Sequence, residues 1–103
     1  MNLSELNERC ASAGIPYAYG EFIDTVNPPF LALRLQNSNN FVADNEVYKK
    51  KNVYNLYYVF ENKDISIEDI IEDTILKDIV WSKNGETYIQ SENVWETVYT
   101  FEL

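Results

Sequence analysis

A chain of 103 residues, 46% of them hydrophobic, has room for one core but not for two independent ones. Eight Tyr, five Phe and two Trp against three Gly and three Pro exclude a disordered or collagen-like chain. Seventeen acidic against eight basic residues give a net charge of −9 with no histidine, which argues against attraction to DNA, RNA or anionic lipid. Without histidine there is no Ser-His-Asp or Cys-His nucleophile, no imidazole base and no His-ligated zinc site.

The first element reads as a helix from about Leu3 to Ala13, with Leu3, Leu6, Cys10 and Ala13 along one stripe. Asn2 followed by Glu5 is a capping-box pattern, and Gly14 and Pro16 end the helix. The lone Cys10 cannot form an intramolecular disulfide and reads as a buried structural thiol. Residues 15–22 suggest a short strand, broken by Asn27-Pro28-Pro29. Phe30 to Leu35 is a second strand with Leu31, Leu33 and Leu35 on one face. Gln36 to Asn40 and Ala43 to Glu46 are polar turns around an apolar pair, Phe41-Val42, and together read as an exposed excursion. Val47 to Phe60 then reads as one long strand, or one with a bulge near Lys49-Lys50-Lys51, and its Val53–Phe60 part is apolar enough on both faces to be central.

Ile67, Ile70, Ile71 and Ile75 predict a helix from about Ser66 to Ile79, with Ser66 and Asp69 as a capping box. Asn84-Gly85, between Ile79-Val80-Trp81 and Thr87-Tyr88-Ile89, signals a two-residue hairpin. A last strand from about Asn93 to Leu103 sets Trp95, Thr97, Tyr99, Phe101 and Leu103 on one face. The expected order is α-β-β-β-α-β-β-β, a single α+β domain over 1–103 with two helices packed on a mostly antiparallel sheet.

Acid is densest from Glu61 to Asp78, where Glu68 and Glu72, and Asp69 and Asp73, are helical neighbours. Such pairs can serve acid–base catalysis or bind a hard cation, but no calcium-loop spacing accompanies them. They fall opposite the Ile stripe, where solvated acids stabilised by the helix dipole are the expectation. The only basic cluster, Lys49-Lys50-Lys51 with Tyr48 and Tyr54 beside it, fits an edge-strand guard or the contact with an acidic neighbouring subunit better than a nucleic-acid strip. The three glycines are isolated, so no phosphate loop is present. No catalytic, metal or cofactor-binding residues are assigned, and the chain is not expected to be an enzyme. Met1 to Glu5 lacks the flanks of a signal peptide, and no window approaches the roughly 18 apolar residues of a membrane span. Cytosolic synthesis without membrane contact is therefore expected.

The stretch Asn40-Phe41-Val42-Ala43-Asp44-Asn45-Glu46-Val47-Tyr48-Lys49, followed by Tyr54-Asn55-Leu56-Tyr57-Tyr58 and Glu61-Asn62-Lys63-Asp64, resembles a family of small proteins of long, non-contractile-tailed phages of Gram-positive bacteria. These are tail terminator or tail-to-head joining proteins. Pro16-Tyr17-Ala18-Tyr19-Gly20, Pro28-Pro29-Phe30, Glu86 to Glu92 and Val98-Tyr99-Thr100-Phe101-Glu102 extend the resemblance in order over nearly the whole chain, while Lys49-Lys50-Lys51 and Ser82-Lys83-Asn84-Gly85 depart from it. The resemblance implies a ring of six subunits that caps the tail tube, ends its elongation and docks to the head connector, with double-stranded DNA passing through without specific binding. Its partners would be itself, the tail tube protein and the connector protein. It would assemble in the host cytoplasm and end at the head-proximal end of the virion tail. On this view Asn40, Phe41, Val42, Asp44, Asn45, Tyr48, Lys49, Lys50 and Lys51 are the candidate subunit or tube interface, and Glu68, Asp69, Glu72 and Asp73 the candidate acidic bore or flank. The rival readings are a head-closure, connector or other minor tail protein and, from another class, an acidic DNA-mimic inhibitor. A metal-dependent enzyme using Glu68, Asp69, Glu72 and Asp73 is the third.

Overall fold

Asn2 starts the first helix as its side chain accepts the Glu5 amide at 2.9 Å, and α1 runs Leu3–Ala11. Leu6 and Cys10 face inward and are fully buried. Gly14, at φ +79, takes the left-handed conformation that lets the chain turn away. A computed structural model describes residues 1–22, 24–38, 41–43, 46–49 and 51–103; for 41–43 and 46–49 the backbone alone is described.

The chain is α+β, with α1, then β1 (Tyr17–Tyr19), β2 (Phe30–Ser38), β3 (Phe41–Ala43), β4 (Glu46–Lys49) and β5 (Asn52–Phe60). There follow α2 (Ile65–Ile70), a π-helical turn (Ile71–Ile75), β6 (Trp81–Lys83), β7 (Thr87–Ile89) and β8 (Val94–Glu102). Six strands form one sheet in the order β1-β2-β5-β8-β6, with β7 also on β8. All pairings are antiparallel except β1 with β2. The two-stranded pair β3–β4 stands apart from that sheet and is inserted between its two neighbouring strands β2 and β5.

The register explains the core. Leu31 and Leu33 of β2, Tyr54, Leu56, Tyr58 and Phe60 of β5, and Thr97, Tyr99 and Phe101 of β8 share one face. That face is covered by Leu6 and Cys10 of α1 and by Ile71, Ile75 and Leu76. The opposite face holds Ala32, Arg34, Asn55, Tyr57, Val59, Glu96, Val98 and Thr100. There Phe22, from the segment joining β1 to β2, packs edge-on against Phe30, ring centres 5.2 Å apart. Arg9 of α1 ties the two helical elements together: its Nη1 donates to the carbonyls of Ile75, at 3.3 Å, and Lys77, at 2.9 Å, where the π-turn ends with unpaired acceptors. Arg9→Met is expected to lower stability by about 1 kcal/mol, read as a lower urea midpoint with unchanged slope.

Four expectations are corrected. The long strand from Val47 is two strands, β4 and β5, and the three-strand run after α1 becomes five strands. The second helix ends early as an α-helix, because the chain widens into a π-turn in which Leu76 N donates to Ile71 O at 2.8 Å. Its cap is Asp64 rather than Ser66, with the Asp64 carboxylate accepting the Ser66 amide at 3.0 Å. Asn84-Gly85 makes no hairpin: β6 and β7 lie end to end along β8 and do not pair with each other. Lys83 faces Tyr99 and Thr87 faces Glu96, so residues 84–86 span only Thr97 and Val98 as a bulge, with Asn84 N donating to Val98 O at 2.9 Å. The true turn is at 90–93, where Asn93 adopts φ +55 and Glu92 N bonds Ile89 O at 3.2 Å.

Candidate functional site

The acidic helix resolves into an inner and an outer pair. Glu68 stands one turn before Ile71 and two before Ile75, on the stripe that faces the sheet, and is only 4% exposed. It therefore does not belong to a solvated face, contrary to the expectation from the Ile spacing. Lys83, on the covered face of β6, reaches up to it: Nζ lies 2.6 Å from Glu68 Oε1 and 2.8 Å from Glu72 Oε2. Tyr99, fully buried on β8, donates its hydroxyl to Glu72 Oε2 at 2.7 Å. Lys63 adds a longer ion pair to Glu68 Oε2 at 3.7 Å and a short one to Glu86. Asp69 and Asp73 point outward and are exposed.

This arrangement favours the ionised forms of Glu72 and Lys83. Partial burial works against the ionised form of Glu72, but the Lys83 and Tyr99 hydrogen bonds outweigh it and hold its pKa below the ordinary 4.5. Burial likewise opposes the Lys83 ammonium, and the Glu68 and Glu72 hydrogen bonds outweigh it, so its pKa lies above the usual 10.5. Tyr99 is raised by burial and by donating to Glu72. Burial also pushes the Cys10 thiol up to about 12, with a hydrogen bond to Tyr17 opposing only in part, which disfavours the thiolate. Among the described residues no group of three or more Asp, Glu, Cys or His gathers to hold a metal ion. No helix among them is long and apolar enough to cross a membrane.

Of the candidate interface, Asn40, Asp44, Asn45 and Lys50 lie outside the described residues. Phe41 and Val42 fall on β3 and Tyr48 and Lys49 on β4, where the backbone pairs Phe41 with Lys49, Val42 with Val47 and Ala43 with Glu46. The expected excursion is thus a small β-arm. Lys51 sits at its base and meets Glu102 of β8 at 3.7 Å.

Two concavities flank the sheet. On the uncovered face, Phe22, Phe30, Arg34, Tyr57 and Glu96 line a hollow of about 360 Å³. Arg34 is already engaged there: its guanidinium stacks 5.4 Å from the Tyr57 ring centre and its Nε donates to Gly20 O at 3.1 Å. At one end of the sheet a groove of about 650 Å³ crosses β5, β8 and β6 and is lined by Val53, Val80, Trp81, Phe101 and Leu103, with Lys51, Asp78 and Glu102 among its walls. Val80, just before β6, is 93% exposed, an aliphatic side chain standing in water. Nothing in the sequence pattern distinguished it, since Ile79-Val80-Trp81 reads as one strand of a hairpin that does not form.

No protein-family model matches this chain, and no curated protein does.

Proposed function

We propose that this chain is a structural ring subunit of a long-tailed phage particle, a tail terminator that caps the tail tube, stops its elongation and joins the tail to the head connector. The observation that carries this reading is the β3–β4 arm. It occupies the Phe41–Lys49 part of the stretch that carries the resemblance, and it is inserted between neighbouring strands of the main sheet without joining that sheet. An arm built on the middle of a sheet is a device for reaching another subunit, and its cost in chain closure is small because β2 and β5 already hold its ends together. The paired charges favour the same reading. Glu68 and Glu72 serve the fold, so Asp69 and Asp73 are the members of the acidic set available to face a bore, where they would repel the DNA backbone and favour its transit. The tube protein and the head connector protein would be its partners, and assembly would proceed in the host cytoplasm.

A DNA-mimic inhibitor is supported less. Glu68, Glu72, Glu86 and Glu102 all pair with lysines, which breaks up the continuous row of free carboxylates that a mimic needs. The ring reading is tested by native mass spectrometry over a range of concentrations, together with electron microscopy of the protein mixed with tail tubes from a phage encoding it. A closed ring in solution, or a cap at one end of the tubes, is expected. A chain that stays monomeric and leaves both tube ends bare would overturn it.

A further inference from the structure

Asn84-Gly85 is the one place in the sequence where asparagine precedes glycine, and it makes no hairpin. Residues 84–86 join β6 to β7 outside either strand, and all three are exposed. Among the described residues the Gly85 amide donates no hydrogen bond, so its nitrogen is not tied into a ladder. A Cβ built on Gly85 would meet nothing within 4 Å, and glycine itself brings no side chain to shield that nitrogen. The Asn84 carboxamide is loosely held: its Nδ2 donates to Thr100 Oγ1 at 3.4 Å, near the limit of a hydrogen bond. Its main chain, by contrast, is anchored through Asn84 N to Val98 O at 2.9 Å.

We propose that Asn84 is a site of spontaneous covalent modification, at which the folded chain converts asparagine to aspartate and isoaspartate with water as the only co-reactant. The Gly85 nitrogen bonds to Asn84 Cγ and the Cγ–Nδ2 bond breaks. The Gly85 proton passes through water to the departing nitrogen, which leaves as ammonia, and a cyclic imide remains. Water then adds to one of the two imide carbonyls. Breaking the nitrogen's bond to Cγ leaves aspartate, and breaking its bond to the main-chain carbon leaves isoaspartate, whose main chain is one carbon longer. No atom is oxidised or reduced. A carboxylate in place of the carboxamide accepts but does not donate. The Thr100 hydroxyl, whose one proton goes to Asn55 Oδ1 at 2.8 Å, then has a charged acceptor competing for it. Asn55 Nδ2 in turn donates to Tyr57 Oη at 3.3 Å, so the change is passed along the polar row on the uncovered face. Isoaspartate also lengthens the link between β6 and β7 where it spans only Thr97 and Val98, which loosens the placement of Lys83 against Glu68 and Glu72. The site does not depend on the ring reading.

The test ages the purified full-length chain at mildly alkaline pH and digests it with trypsin. Lys83 is the last basic residue, so one fragment runs from Asn84 to Leu103 and carries Asn93 as an internal reference, with the β-branched Val94 after it. Mass spectrometry should find the amide-to-acid change at Asn84 about tenfold faster than at Asn93. An isoaspartyl methyltransferase with a labelled methyl donor should mark the same fragment. Gly85→Ala, whose added methyl has open space around it, should keep the thermal midpoint of the fresh protein and slow the change about tenfold by shielding the nitrogen. A parallel sample aged in urea gives the rate without the fold. Equal rates at Asn84 and Asn93, or a Gly85→Ala chain that ages as fast as the unmodified one, would overturn the proposal. So would a change at Asn84 that occurs in urea and not in the folded chain, since the bulge would then protect the residue it is held to expose.

Discussion

Lys83→Met is expected to destabilise the protein by about 2–3 kcal/mol, lowering its thermal midpoint by roughly 10–15 °C. The substitution keeps the aliphatic stem beside the Tyr99 ring but removes the ammonium that lies within hydrogen-bonding distance of both Glu68 and Glu72. Glu68 is then a buried carboxylate with only the longer Lys63 contact to compensate it, a loss typically of about 3–5 kcal/mol for a fully buried pair. The figure is smaller here because the Lys83 side chain is about one third exposed and water takes up part of the charge interaction. The pH dependence gives the second half of the test. Glu72 has a lowered folded-state pKa, so its contribution is present above its ordinary 4.5 and is lost as pH falls through the folded value. Lys83 has a raised one, so its contribution is present below 10.5 and is lost as pH rises through the folded value. The gap between the unmodified chain and Lys83→Met should thus be widest between these limits and narrow on acidification, as Glu72 is neutralised. Urea unfolding at pH 7 and pH 4 measures it. A gap that stays constant across that range would mean that Lys83 acts through packing and not through charge.

Leu56→Ala should cost more, about 3–4 kcal/mol. Leu56 lies in the central strand between Leu33 of β2 and Tyr99 of β8, and all three are fully buried beneath the helical layer. Neighbouring strands fix the backbone on both sides, so the cavity left by the missing methyl groups has little means of collapsing. Leu35→Ala, on the same face of β2, is the control. That side chain is 49% exposed, and its truncation should cost less than about 1 kcal/mol. Chemical denaturation of the two variants side by side measures the contrast. Similar losses at both positions would show that the helices do not shield the strand centre as the packing here requires.

Leu35 also shows where sequence reading stopped. Alternation put Leu31, Leu33 and Leu35 on one face, and the register keeps all three there. Depth is a different matter, since it depends on whether a helix lies overhead, and period-two alternation carries no information about that. The α+β class, the central strand, the burial of Cys10 and the Asn2 cap were legible because each rests on local periodicity or on a side chain bonding its near neighbour. Glu68 was not. A carboxylate beside isoleucines looks solvated until the partner 15 residues away, Lys83, is brought underneath it by the pairing of β6 with β8. Asn84-Gly85 failed for a related reason. The nine-residue β8 offers one long edge that takes up both β6 and β7, and this tertiary pairing outweighs the local preference for a tight turn.

The position of the arm has a mechanical consequence. In the chain the arm lies between β2 and β5, which are flanked by β1 and β8. Tension passed from the arm along the strand axes would load the β5–β8 hydrogen bonds, spread over eight residue pairs, in shear, so that they give way together. A pull at an edge strand would instead peel its bonds one after another. A contact made through this arm can therefore fail at the point of contact well before the subunit bearing it unravels.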